Sequence, residues 1–484
     1  MFEKKLSQII SQSLNVDPTV SQQTAIDEIS SFLYDDDQYS LFLLKGYAGT
    51  GKTLLVSKLV KAVVQFRIKT DLLAPTGRAA KVLSQYAGKS AFTIHKKIYR
   101  QKSSSDGMGK FVLDINKASN TLFIVDEASM ISNSSPDQSV FGNGQLLNDL
   151  IEYVYNGKNC RLMLVGDTAQ LPPVGLTISP ALDVKALGDF SMRIFSAVLS
   201  DVVRQAGDSG ILYNATAIRF HIKHQRIQKF FTIKMDGFAD IKRIGGDELI
   251  ESISECYDKY GESETIVVTR SNKRANQFNE GIRRTILWRE DELTAGDMLM
   301  IVKNNYHWTD PDKKLDFIAN GDIAKVIRVN KTEELFGFRF ANVTLEFIDY
   351  DHLEIDCKIF LDTLNLEAPA FGNDQNNKLF TALQEDYLHI TSRKKRWEAI
   401  KADPYFNALQ VKFAYAVTCH KAQGGQWDAV FIDHGYLVEE MLNIDYFRWL
   451  YTAFTRPKTR LYLVNFDKRF FGETDEIGEW IVED

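Results

Sequence analysis

A chain of 484 residues, 44% hydrophobic and 25% charged, is long enough for about three domains and has the composition of an ordinary globular protein. Its net charge of −6 excludes a uniformly basic surface, leaving room only for a local basic groove if it binds nucleic acid. No apolar run approaches the ~20 residues of a membrane span, so no membrane partner is expected. Cys160, Cys256, Cys357 and Cys419 are too dispersed for a Cys-x-x-Cys pair, and no long apolar run follows Met1-Phe2-Glu3-Lys4-Lys5. Reduced thiols and a cytoplasmic location are the expectation.

Residues 6–34 read as helices. Asp17-Pro18-Thr19-Val20-Ser21 is a break rich in cap residues, after which Ala25, Ile26, Ile29, Phe32 and Leu33 recur at helical spacing. Gln22 and Gln23 open that second helix; a glutamine amide offers the donor and acceptor that suit the N6/N7 edge of adenine. Alone, that signal is weak.

The apolar run at 41–44 reads as a buried strand opening onto Gly46-Tyr47-Ala48-Gly49-Thr50-Gly51-Lys52-Thr53, with Leu54, Leu55, Leu59 and Val60 in helical register behind it. Strand, glycine-rich loop and helix form the context in which G-x-x-x-x-G-K-[ST] cradles phosphates: backbone amides from Gly46 through Thr53 converge on anionic oxygens. Lys52 would reach the β- and γ-phosphates and the Thr53 hydroxyl would hold Mg²⁺.

A second strand and turn, Leu72-Leu73-Ala74-Pro75-Thr76-Gly77-Arg78, places Thr76 and Arg78 where they could touch a phosphodiester backbone, and Phe92-Thr93-Ile94-His95 repeats the theme. Next, Leu122-Phe123-Ile124-Val125 reads as a central strand with Asp126 and Glu127 at its C-terminal end, where open α/β sheets bind ligands. Asp126 suits the Mg²⁺ shell, and Glu127 is placed to deprotonate a water attacking a γ-phosphate. A further strand at 162–165 leads to Gly166-Asp167-Thr168-Ala169-Gln170-Leu171-Pro172-Pro173-Val174, where Gln170 could sense that phosphate. Val203-Arg204-Gln205 precedes a helical segment at 211–220, and the strand at 265–268 with its turn through Asn272 begins a second α/β series.

From 296 to 409 the period changes to two, at 323–329, 343–347 and 353–361, with Asn320-Gly321 as a turn. This is a β-rich insertion, expected to be a small barrel. Within it Asp356 and Lys358 form a D-x-K pair; with Leu353, Ile355, Cys357 and Ile359 as the apolar face, both are expected on the solvated face rather than in a nuclease site. Arg393-Lys394-Lys395-Arg396-Trp397 reads as a solvated helix end. The α/β pattern returns with a strand at 413–417, then Thr418-Cys419-His420-Lys421-Ala422-Gln423-Gly424, a strand at 430–433, Tyr451-Thr452-Ala453-Phe454-Thr455-Arg456 and a closing strand at 461–464.

The blocks GYAGTGKT, APTGRAA, FTIH, VDEASM, GDTAQLPPV, VVRQ, TCHKAQGG and YTAFTR, in that order, resemble the superfamily 1 DNA helicases, specifically the RecD and Dda group. The resemblance covers nearly the whole chain. It implies an α/β fold of two RecA-like P-loop domains, with a small β-hairpin inserted in the first and a β-rich, barrel-like insertion in the second. The expected boundaries are 1–200, then 201–295 with 411–484, and 296–410 for the insertion. ATP and Mg²⁺ would lie in the cleft between the two RecA-like domains.

By the same resemblance Gln22 reads adenine, Gly49, Gly51, Lys52 and Thr53 take phosphates and metal, Asp126 and Glu127 serve as metal ligand and base, and Gln170 is the γ-phosphate sensor. Arg204 and Arg456 become arginine fingers from the second domain. Pro75, Thr76, Arg78, Thr93 and His95 would line the single-strand track on one domain, with Asn272, Thr418, His420 and Lys421 on the other. The hairpin at 100–120 would be a strand-separating pin with Met108 or Phe111 at its tip. Gln426 stands where relatives often carry a ribose-binding acid. The implied activity is ATP-driven 5′→3′ translocation of a monomer on single-stranded DNA, opening duplex junctions, with a single-strand-binding or repair/replication protein as the candidate protein partner. An RNA helicase, a nucleotide-regulated clamp and the motor subunit of a nuclease complex are the alternatives.

Overall fold

The computed structural model describes residues 2–14, 16–101, 111–133, 142, 144–202, 209–225, 230–308 and 318–472. Its first layer is a six-stranded parallel sheet in the order Ala91–Thr93, Lys69–Ala74, Ser119–Val125, Lys158–Gly166, Ser40–Gly46, Arg193–Leu199. The run at 41–44 is apolar throughout because both sheet faces are covered. Phe42 and Leu44 pack with Ile26, Phe32, Leu55 and Leu59 on one side, while Leu41 and Leu43 join Ile94, Ile98, Leu147 and Leu150 on the other.

A second parallel sheet runs Ala416–Thr418, Thr265–Thr269, Trp427–Asp433, Pro457–Val464, Ile241–Ile244. Between its strands in sequence lies a closed barrel of Met298–Ile301, Ile323–Leu335, Phe338–Phe347, Leu353–Phe360 and Leu409–Phe413. The strand expected at 413–417 is in fact two. Leu409–Phe413 closes the barrel on Met298–Ile301, whereas Ala416–Thr418 joins Thr265–Thr269 in the second sheet. The division falls at Tyr415, whose hydroxyl donates to Asp297 Oδ1 (3.1 Å) and accepts from Met298 N (3.0 Å), tying the barrel's exit to its entrance.

The hairpin of the second and third barrel strands reaches past the barrel. Its far end, Phe338 and Phe340, packs with Leu379, Leu383 and Ile400 of the helices Asn373–Asp386 and Arg393–Ala402 in a separate small core. This cover corrects the reading of Lys358. Its side chain is buried, with the ammonium bonded to Glu333 and to Asn342 Oδ1 (2.7 Å) and 4.1 Å from the Tyr405 ring. Asp356 does lie exposed, bonded by Thr344, so the pair forms no shared site. Among the described residues no helix is long and apolar enough to cross a membrane.

Candidate nucleotide cleft and strand-gripping tips

The Ser40–Gly46 strand delivers the chain to a tight loop in which Gly49 (φ 76°) and Gly51 (φ 87°) take left-handed conformations that side chains disfavour. Helix Lys52–Val63 starts directly behind it. Lys52 Nζ lies over the loop, donating to the Gly46 (2.7 Å) and Tyr47 (3.0 Å) carbonyls, 4.0 Å from Asp167. Gly46 permits this: a Cβ there would sit 2.7 Å from Lys52 Cγ.

Asp126 and Glu127 follow the Ser119–Val125 strand, with Glu127 held at φ 53° and its N–H donating to Asp126 Oδ1 (2.8 Å). Burial, and then the charge of Glu127, raises the Asp126 carboxyl above its ordinary range. Gln170 is 6% exposed, and its Oε1 is buried with no hydrogen-bond partner. These groups share one cavity of about 360 Å³: Ala48, Gly49, Lys52, Thr53, Asp126, Glu127 and Gln170 line one wall, while Ser209, Leu212, Gln426, Arg456 and Lys458 line the other.

The donor set suits a hard divalent cation. No group of three His, Cys, Asp or Glu side chains is poised to hold a metal among the described residues. Thr53 and the one buried, charge-disfavoured carboxylate of Asp126 would be the protein's share, which suits an ion that keeps waters and phosphate oxygens as its remaining ligands.

Four hydrogen bonds stitch the two walls together. Ala48 N donates to Tyr451 Oη (2.9 Å), which donates in turn to Asp167 Oδ2 (2.7 Å); Leu171 N donates to Thr452 Oγ1 (2.9 Å), and Gln423 Nε2 to Leu171 O (2.7 Å). Tyr451, Thr452 and Gln423 lie within the blocks YTAFTR and TCHKAQGG, but their side chains received no role from the sequence, because a neutral hydroxyl or amide does not show by itself which distant backbone group it will meet.

Residues 19–230 match the family described as AAA domain, and residues 413–464 match the UvrD-like helicase C-terminal domain; together they cover more than half of the chain. The P-loop cavity lies between these two segments. Both matches, and the relatives below, make the chain similar to the RecD/Dda group of superfamily 1 helicases. The ATP-dependent RecD2 DNA helicase of Deinococcus radiodurans is 24% identical, over 92% of this chain and 50% of its own, so the chain spans half the length of that relative. The ATP-dependent DNA helicase Dda of Enterobacteria phage T4 is 23% identical, over 80% of this chain and 86% of its own. Among solved structures, the Pif1 helicase from Bacteroides in complex with ADP-AlF3 and ssDNA covers 95% of each chain at 14% identity, with a TM-score of 0.47.

Several side chains lie elsewhere than expected. Gln22 is 2% exposed and does not line the cavity: its Oε1 accepts from Thr19 N (3.1 Å) in a capping box, and its Nε2 donates to Thr50 O (3.1 Å). It braces the phosphate loop instead of facing adenine. Arg78 does not face a strand track. It donates to the Gln426 carbonyl (3.2 Å) and stacks 4.2 Å from the Trp427 ring, joining the two domains beside the cavity.

Arg456 lines the cavity, but its guanidinium donates to Thr452 O, Gly425 O and Thr455 Oγ1 within its own domain. Arg204 and Met108 lie outside the described residues. Phe111 is no hairpin tip; it pairs with Gln101 in the ladder and packs 4.2 Å, centroid to centroid, from Tyr306 of the insertion.

The strand-track candidates cluster at helix starts. Thr76 follows Pro75 and caps Gly77–Ala87 through Ala79 N; Thr93 caps Ile94–Ile98 through Lys96 N; Thr418 precedes Cys419–Ala422; Asn272 opens Asn272–Thr285 behind its cap Ser271. Burial lowers His95 to about 4, so its imidazole is neutral at pH 7. His420 is exposed, and Lys421 donates to Asn320 Oδ1 (2.6 Å) in the insertion. Thr76 lies against the Lys421-bearing segment, since a Cβ on Gly424 would meet its Oγ1 at 3.2 Å. Pro75, Thr76, Thr418 and Lys421 are thereby brought to one region, whereas Phe111 is packed on Tyr306 and takes no part in it.

Proposed function

We propose that this protein is an ATP-dependent helicase that moves 5′→3′ along single-stranded DNA as a monomer and opens duplex junctions. One observation carries the reading. The hydrolytic side chains stand on one wall of a cavity whose opposite wall belongs to the other sheet, so occupancy of the cavity sets how two strand-gripping tips sit relative to each other. Mg²⁺ bound with ATP would be held by Thr53 and Asp126 and would neutralise phosphate charge.

Lys52 exchanges its two loop carbonyls for phosphate oxygens. Glu127 orients a water and takes its proton, and the Gln170 amide, with its carbonyl oxygen unpartnered, offers an acceptor to that water. Arg456 reaches the developing charge once it turns from its own-domain carbonyls, and Arg204 is proposed as its companion. The Thr76 and Lys421 tips then alternate their hold on the strand as the walls separate and close. All four cysteines are free and buried, which supports a reducing cytoplasmic setting.

The test is ATP hydrolysis with and without single-stranded DNA, beside unwinding of 5′-tailed and 3′-tailed duplexes. Stimulation by DNA with opening of the 5′-tailed substrate alone is the expected result. Stimulation by RNA alone would move the assignment to an RNA helicase. No stimulation in ATP-binding protein would leave a clamp.

A further inference from the structure

Ala48 belongs to the phosphate loop and has a single N–H, and that hydrogen is held across the cleft by the hydroxyl of Tyr451. Ala48 lines the cavity, so a phosphate oxygen reaching that part of the loop would be a rival acceptor for the same donor. We propose that Tyr451 is the positioning residue that reports nucleotide occupancy to the second domain: its hydroxyl and a nucleotide phosphate compete for the Ala48 amide. The proposal rests on the ATP-driven reading and adds the residue through which the signal passes.

The connections of Tyr451 are those such a reporter needs. Its ring is 1% exposed in helix Ile444–Phe454. Its phenol, raised well above the ordinary range by burial and by Asp167, stays protonated and donates to Asp167 Oδ2 at 2.7 Å. Asp167 also accepts from Ala169 N (2.9 Å), receives the Gln170 N–H on its carbonyl (3.3 Å) and faces Lys52 Nζ at 4.0 Å. One hydroxyl therefore touches the phosphate loop and the segment carrying Gln170 together.

The same helix touches the strand-gripping side. Cys419 Sγ donates to the Trp449 carbonyl (3.5 Å), one residue before the segment His420-Lys421, and Arg456 lies two residues past the helix end. A neighbouring contact ties the loop to the second domain without competing for the amide: the Arg219 guanidinium lies 4.4 Å from the Tyr47 ring centroid. A helix that keeps Ala48 in one state and releases it in the other gives the two discrete arrangements that coupling requires.

The competition predicts opposite signs for binding and turnover. Tyr451→Phe keeps the ring and removes the rival acceptor. Its affinity for fluorescent mant-ADP should rise about two- to ten-fold, the worth of one net hydrogen bond, while the ratio of DNA-stimulated to basal kcat falls. A merely structural role would weaken binding along with turnover.

Thr452→Val removes the adjacent cross-cleft bond to Leu171 and leaves Ala48 untouched, so it should not tighten mant-ADP binding. Unchanged or weaker binding in Tyr451→Phe, or equal tightening in Thr452→Val, would overturn the proposal. Wild-type protein that binds mant-ADP but shows no DNA stimulation would instead remove the helicase reading, with the binding comparison still readable.

Discussion

Gly77, at the first turn of the Gly77–Ala87 helix, packs directly on the carboxylate of Asp322 in the barrel: a Cβ at Gly77 would lie 2.3 Å from Asp322 Oδ1 and 2.8 Å from the Tyr350 hydroxyl. One turn on, Lys81 donates to Ile348 O (3.1 Å) and Asp349 Oδ1 (2.9 Å). The barrel is thus latched to the helix that Thr76 caps, and through Asn320 it also meets Lys421. Gly77→Ala should open this latch at a cost of about 1–3 kcal/mol. Fluorescence anisotropy with a labelled single-stranded oligonucleotide should show weaker binding, while basal ATP affinity stays near wild type.

The same latch should make stability depend on pH. Burial raises Asp322 to about 7, although Tyr350 and Ala319 N donate to it. An unfolded aspartate ionises near pH 4. Between about pH 4 and 7 the folded state therefore holds a proton that the unfolded state has lost, and stability falls as pH rises, by an amount on the order of a few kcal/mol. Asp322→Asn cannot ionise. Its melting temperature should decline less than that of wild type between pH 5 and pH 8.

Lys421 gives a pH effect on DNA rather than on folding. Desolvation, then the charge of Lys412, lowers its ammonium to about 8. Above that pH the side chain is neutral and attracts phosphate no longer. Affinity for single-stranded DNA should drop between pH 7 and pH 9, and Lys421→Arg, which stays charged, should flatten that decline.

Glu127→Gln keeps the shape and removes the base. Its kcat should fall by about 10²- to 10⁴-fold, whereas mant-ADP affinity changes little. Steady-state hydrolysis and nucleotide titration on the same preparation check both halves.

The two ends of the insertion provide a stability test away from the cleft. Tyr415 and Arg283 both converge on Asp297, which is 0% exposed. Tyr415→Phe would leave Met298 N and one Asp297 lone pair without that partner, a loss of about 1–3 kcal/mol. Thermal melting should shift downward without loss of DNA-stimulated hydrolysis.

The sequence by itself determined the phosphate loop, the strands that lead to it, the acid pair at the end of Ser119–Val125 and the β-rich insertion. Each depends on neighbours in the chain: glycines where φ is positive, apolar runs where both sheet faces are covered, alternation where one face is. Tertiary structure decided the partners of the long polar side chains. Arg78 is read locally as a phosphate contact, yet its partner is Gln426, 348 positions away. Ala48 is read locally as one amide of the phosphate loop, and its partner Tyr451 arrives from 403 positions on. Lys358 follows the alternation of an exposed strand position and is nevertheless covered by Glu333, Asn342 and Tyr405. Periodicity records which way a side chain points from its own strand, whereas burial and bonding depend on what the rest of the chain places there.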